Sequence, residues 1–149
     1  MKQTGSVGLL SAALSDTPGL EEITDLIIQK NGDFSIASLR AGAVNERLLN
    51  NMKRTGQKTL AIAPEAGSER LRKVINKHLS TDEIIEAVRI IAKTAEFSLR
   101  LYFLIGLPTE TQEDVYDIIE LVKSIKHHVV KESSTRGRIR GGCILPRIG

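Results

Sequence analysis

Thr59-Leu60-Ala61-Ile62-Ala63-Pro64-Glu65-Ala66-Gly67-Ser68-Glu69-Arg70-Leu71 reads as a strand, a tight turn and the opening of a helix. Residues 59–63 are the strand, and Leu71, Val74 and Ile75 are the apolar positions of the helix. The same alternation of short apolar runs and helical patterns extends in both directions. Upstream, residues 7–14 are apolar on both faces, as a buried parallel strand is. Thr17-Pro18 then supplies an N-cap residue with proline at the first helical position. Leu20, Ile23 and Ile27 recur at helical spacing, and Asn31-Gly32 ends that helix. Residues 34–39 read as a second strand and Asn45 as the cap of a helix bearing Leu48, Leu49 and Met52, which stops at Gly56.

Downstream, Ser80-Thr81-Asp82-Glu83 is a capping box that opens a helix with the stripe Ile84, Val88, Ile91 and Ala95. Residues 99–105 form the most apolar strand. Thr109 and Gln112 read as another capping box, followed by Val115, Ile118, Ile119, Val122 and Ile125 on one helix face. A last strand is expected near residues 142–145. Strands at this spacing, each followed by a helix, predict an α/β fold with a parallel sheet and right-handed crossovers. The pattern fits a doubly wound sheet or part of a (β/α) barrel. At 149 residues the chain is too short for a complete eightfold barrel, which needs roughly 200 or more.

Composition narrows the function classes. Hydrophobic residues are 41% and charged residues 26% of the chain, which argues against a disordered chain. No apolar run reaches the ~18 residues of a spanning helix, and no signal peptide is evident. A membrane partner is therefore not expected. A lone cysteine, Cys143, excludes an internal disulfide and fits a reducing, cytoplasmic location. Aromatics are 3% with no tryptophan, which argues against a base-stacking platform. Residues 131–149 hold five basic residues against one acid, a net +4; taken from +3 for the whole chain, this leaves the remainder at −1. Any case for RNA therefore rests on the tail residues Arg136, Arg138 and Arg140, and a solvated loop is the favoured reading.

Functional groups of parallel α/β proteins lie where strands end and helices begin. Those turns hold Ser15 and Asp16, Arg40, residues 64–70 and residues 106–111. Glu65 is either an acid favoured by the helix N-terminus or a ligand contact. Ser68 reads as a cap, Glu110 as a capping residue, and Gly106 as a point where backbone can approach a ligand. Neither glycine cluster is a Walker or Rossmann fingerprint. His127 and His128 are adjacent and do not share a helix face as paired metal ligands would. Cys143 reads as a small core residue.

Two longer stretches carry a resemblance. Ile62-Ala63-Pro64-Glu65-Ala66-Gly67-Ser68-Glu69-Arg70-Leu71-Arg72-Lys73-Val74-Ile75-Asn76-Lys77 resembles the fourth barrel strand and helix of radical S-adenosylmethionine (SAM) enzymes. It is most similar to the methylthiotransferase and cobalamin-associated branches. Leu101-Tyr102-Phe103-Leu104-Ile105-Gly106-Leu107-Pro108-Thr109-Glu110-Thr111-Gln112-Glu113-Asp114 resembles the fifth strand and helix. Residues 7–16 and 35–40 are similar to the second and third strands.

The resemblance implies a partial TIM-type (β/α) barrel, with strands equivalent to barrel strands two to six over residues 1–149 and a basic loop and last strand in 131–149. It implies SAM bound at the strand C-termini on a [4Fe–4S] cluster and cleaved reductively to a 5′-deoxyadenosyl radical. Glu65 and Ser68 would lie near the ribose, Ile105 and Gly106 near the adenine. Lys77 stands where relatives often carry an arginine that meets the SAM carboxylate; an ammonium supplies the charge without the bidentate fork. The family's C-x3-C-x2-C cluster motif and its glycine-rich motif are absent from this sequence, Asp16 being the stand-in for the acid of the latter. The expectation is a piece of a longer enzyme, inactive alone, with the [4Fe–4S] cluster belonging to the intact enzyme only. Its partner would be the remainder of that polypeptide. A complete small α/β binding protein is the competing reading; it predicts a homodimer through the open sheet edge.

Overall fold

The computed structural model describes residues 5–9, 17–94 and 96–134. Asp16, Ala95, the strand expected near residues 142–145 and the basic tail lie outside them. The elements run β1 (Ser6–Leu9), α1 (Leu20–Gln29), β2 (Asp33–Ile36), a 3-10 turn (Ala41–Ala43), α2 (Glu46–Arg54), β3 (Thr59–Glu65), α3 (Glu69–Val74), α4 (Thr81–Thr94), β4 (Ser98–Phe103) and α5 (Gln112–Ser134).

All strand pairs are parallel, as the βα alternation requires, but they form two two-stranded sheets, β1–β2 and β3–β4, where the sequence predicts one. Residues 37–39 leave the regular ladder after Ile36. Only an isolated parallel bridge, Leu39 to Ile62, carries the pairing across to β3. Gln57 fills the remaining gap. Its side-chain amide accepts from Ile36 N at 3.0 Å and donates to Ile36 O at 2.8 Å and to Thr59 O at 2.8 Å. It thereby mimics one rung of a strand ladder. The strands consequently succeed one another in chain order, β1, β2, β3, β4.

The core gathers Leu48, Leu49 and Met52 of α2, Leu60 and Ile62 of β3, Ile84, Val88 and Ile91 of α4, and Leu121 and Ile125 of α5. β3, with neighbours on both sides, has Leu60, Ala61, Ile62 and Pro64 buried. The outer strands depart from expectation. β1 is exposed at Ser6, Val7 and Gly8, and β4 buries only Leu101. Each has a single hydrogen-bonded neighbour among the described residues. The apolar run 99–105 stops as strand at Phe103, leaving Leu104 and Ile105 exposed. Val74 and Ile119 are exposed too, whereas Leu121 takes the core position on α5.

Helix ends follow local chemistry closely, with two corrections. Asn45 Oδ1 accepts from Leu48 N at 2.9 Å, and Ser80 and Glu83 make the reciprocal capping box. Gly19, in the left-handed conformation, is the N-cap of α1 rather than Thr17, so Pro18 lies outside the helix. The box that opens α5 is Thr111 with Asp114, not Thr109 with Gln112. α1, α2 and α3 all terminate in Schellman turns. Asn31, Gly56 and Asn76 supply the left-handed residue, at φ 57°, 78° and 57°. In the last of these Lys77 N donates to Arg72 O at 2.8 Å. That turn fixes where Lys77 leaves the helix.

Candidate functional site

The site is built at the C-terminal ends of β3 and β4. Between Ile62 and Glu65 the β3–β4 register slips by one residue, giving a bulge that contains Pro64. Proline has no ladder donor to lose there. Beyond it Glu65 turns into the left-handed region, φ 68°, and its carbonyl accepts from Leu104 N at 2.8 Å. A carboxylate residue held in that conformation is strained. Gly106 follows two residues past Leu104, at φ 87°, so Glu65 and Gly106 lie at the same end of neighbouring strands. Open space lies where a Cβ at Gly106 would be. Its N–H donates to Glu110 Oε2 at 2.6 Å, so Glu110 clasps its own turn instead of capping α5. Ile105 is 63% exposed on this rim.

Lys77 reaches back from the end of α3 to the bulge. Its Nζ donates to Glu65 Oε1 at 3.1 Å and to Ala63 O at 2.5 Å. The acid and the ammonium thus form one polar pair, a contact that strand-and-helix reading did not foresee. Arg40 lies one residue past the Leu39–Ile62 bridge, exposed, at the same end of the strands.

Ser68 is the N-cap of α3, accepting from Leu71 N at 3.1 Å, and its Oγ donates to Asp114 Oδ1. Asp114 also accepts from Arg70, and from Thr111 N and Oγ1 at 2.8 and 2.7 Å. These donors, Ser68 foremost, then Arg70 and Thr111, hold its carboxyl well below the usual carboxylate range. Its contribution to stability is complete above the ordinary carboxylate value and is lost as pH falls towards the depressed one. The contact therefore persists through neutral and mildly acidic pH. Beneath the turn lies Arg72, a fully buried guanidinium. It donates to Ala66 O at 2.9 Å, Gly67 O at 2.8 Å, Leu79 O at 2.7 Å and Thr81 Oγ1 at 2.7 Å. Burial lowers its pKa, and the charges of Glu69 and Asp117 oppose that shift.

The roles of Arg70, Arg72 and Asp114 were missed from the sequence. The pattern Thr111-x-x-Asp114 is a capping signature in its own right and could have revealed the last of them. Among the described residues no three His, Cys, Asp or Glu side chains gather as a metal site. No helix among them is long and apolar enough to cross a membrane.

Known proteins are similar to this chain over most of its length. The profile of the radical SAM superfamily matches residues 2–122. An uncharacterised protein of Methanocaldococcus jannaschii is 35% identical over 88% of this chain and 29% of its own length. A tRNA-2-methylthio-N(6)-dimethylallyladenosine synthase of Thermosipho melanesiensis is 29% identical over 78% of this chain and 26% of its own. The chain thus spans roughly a quarter of the length of these relatives. Among solved structures, coproporphyrinogen III oxidase (HemN) of Escherichia coli, described as a radical SAM enzyme, superposes with a TM-score of 0.56 at 14% identity. It covers 71% of this chain and 25% of HemN.

Proposed function

Because the chain belongs to the radical SAM superfamily, whose enzymes use SAM and a [4Fe–4S] cluster, we propose that it is the nucleoside-holding part of a (β/α) barrel in a longer enzyme. The observation that carries this reading is the placement of Glu65 and Gly106 at one end of adjacent parallel strands, with Lys77 beside Glu65. A cluster held by the rest of the enzyme would supply the electron for reductive cleavage of SAM to a 5′-deoxyadenosyl radical. The residues of this chain do not fit the cluster, since one cysteine cannot provide three thiolates and no described cluster of donors replaces them. No part of the redox step is assigned to them.

They do fit the nucleoside and amino-acid moieties of SAM. Glu65 accepts hydrogen bonds from the ribose hydroxyls. Lys77 pairs with the SAM carboxylate, a point charge in place of a fork. Ile105 covers the adenine, and the open face of Gly106 admits the ring edge. Ser68 holds the turn close to the ribose without touching it. Arg40 adds a cation to the rim from the second strand, and Asp16, outside the described residues, is assigned to SAM by the resemblance alone. The flank of β1 pairs with a first strand supplied by the parent polypeptide, which covers that edge.

Anaerobic treatment of the chain with iron and sulfide, followed by SAM calorimetry, tests the proposal. The expected outcome is a colourless protein that binds SAM weakly. A coloured, cluster-bearing chain that binds SAM tightly contradicts it.

A further inference from the structure

Ser68 and Arg70 belong to the β3–α3 turn and α3, whereas Thr109, Thr111 and Asp114 belong to the β4–α5 turn and α5. One carboxylate ties them together. Asp114 is 4% exposed and accepts from Ser68, from Arg70 and from both donors of Thr111. Capping α5 needs only the Thr111 contacts, so Ser68 and Arg70 are additional. Arg70 goes further still. Its Nη2 donates to Thr109 O at 3.0 Å and its Nη1 to Thr109 Oγ1 at 3.4 Å.

Thr109 sits at φ 61°, a conformation that a β-branched residue adopts only when its surroundings impose it. It lies between Gly106 and Glu110, the two ends of the N–H···carboxylate contact that shapes this turn. The Arg70 side chain is half exposed while Asp114 is buried, so solvent screens this pair only in part. Its geometry, reaching two groups of the opposite turn at once, is better matched to setting a conformation than to holding the core.

We propose that Arg70 and Asp114 form a clasp that sets the β4–α5 turn against the β3–α3 turn, so that Gly106 and Glu65 present one continuous surface to SAM. Both are positioning residues and neither touches the ligand. The assignment of SAM rests on the function proposed above; the clasp itself rests on the contacts.

Arg70→Met and Arg70→Lys in the isotope-labelled chain separate the two. Methionine removes every contact, while lysine can keep the charge on Asp114 but cannot reach Thr109 as well. In Arg70→Met, amide exchange is expected to rise about tenfold at both turns, residues 66–68 and 106–111, with α1 and α2 unchanged. In Arg70→Lys the melting temperature is expected to stay within about 2 °C of the parent. SAM affinity, read from amide shifts, should nonetheless fall about tenfold in both variants, because site geometry is lost and not the fold. Unchanged exchange at 106–111 in Arg70→Met, or parental SAM affinity in Arg70→Lys, overturns the clasp. If the parent chain takes up no SAM at all, the functional reading fails, and the exchange measurement still decides the clasp.

Discussion

Gly67→Ala is expected to cost about 3 kcal/mol or more, the upper end for overpacking, because the added methyl has nowhere to go. A Cβ at Gly67 would stand 2.2 Å from Ile118 N, 2.4 Å from Asp117 C and 2.7 Å from Ile118 Cα. All three are backbone atoms of α5, so no rotamer change relieves the contact. Either α5 moves off the β3–α3 turn or the turn itself opens. Moving α5 would also pull Asp114 away from Ser68. For a domain of this size the loss corresponds to a fall in melting temperature of roughly 10 °C. Thermal unfolding followed by circular dichroism reads it directly. A Gly67→Ala chain that melts within about 2 °C of the parent would show that α5 does not lie on this glycine.

Arg72→Leu carries the second large effect, about 3–5 kcal/mol. Leucine fills much of the volume but leaves the carbonyls of Ala66, Gly67 and Leu79 without the donor that satisfies them. Those carbonyls belong to the turn before α3 and to the link between α3 and α4, so both are expected to loosen together. Arg72→Lys should fall between the two, since one ammonium cannot span four acceptors in different directions. Equilibrium denaturation of the three chains checks the ranking. Equal stability of Arg72→Leu and the parent would mean that the guanidinium is not the organiser of this turn.

Much of the fold could be read from local patterns. The βα unit around Pro64, the capping box at Ser80, the cap at Asn45, and the stops at Asn31 and Gly56 depend on chemistry within a few residues. The common end of Glu65 and Gly106 follows from parallel strands alone. What escaped depends on contacts distant in sequence. Lys77 meets Glu65 only because the Schellman turn at Asn76 reverses the chain, and a register bulge at Pro64 brings Ala63 O within its reach. Arg72 is buried against the ordinary preference of charged residues for the surface, because carbonyls of two loops converge on it. Thr109 looked like a cap by spacing, yet it is in the left-handed region and held by Arg70, which moved the box to Thr111 and Asp114. The exposure of β1 and β4 among the described residues depends on which strands lie beside them, which periodicity does not encode.

The rim formed by the β3–α3 and β4–α5 turns is tested most directly by mapping where SAM touches the isotope-labelled chain. Titration with SAM should shift the amides of Ala66, Gly67, Ser68, Gly106 and Leu107 together, along one saturation curve, and leave those at the opposite ends of β3 and β4, near Thr59 and Ser98, in place. Shifts confined to the Thr59 and Ser98 ends, or no shift at either turn at saturating SAM, would contradict the account.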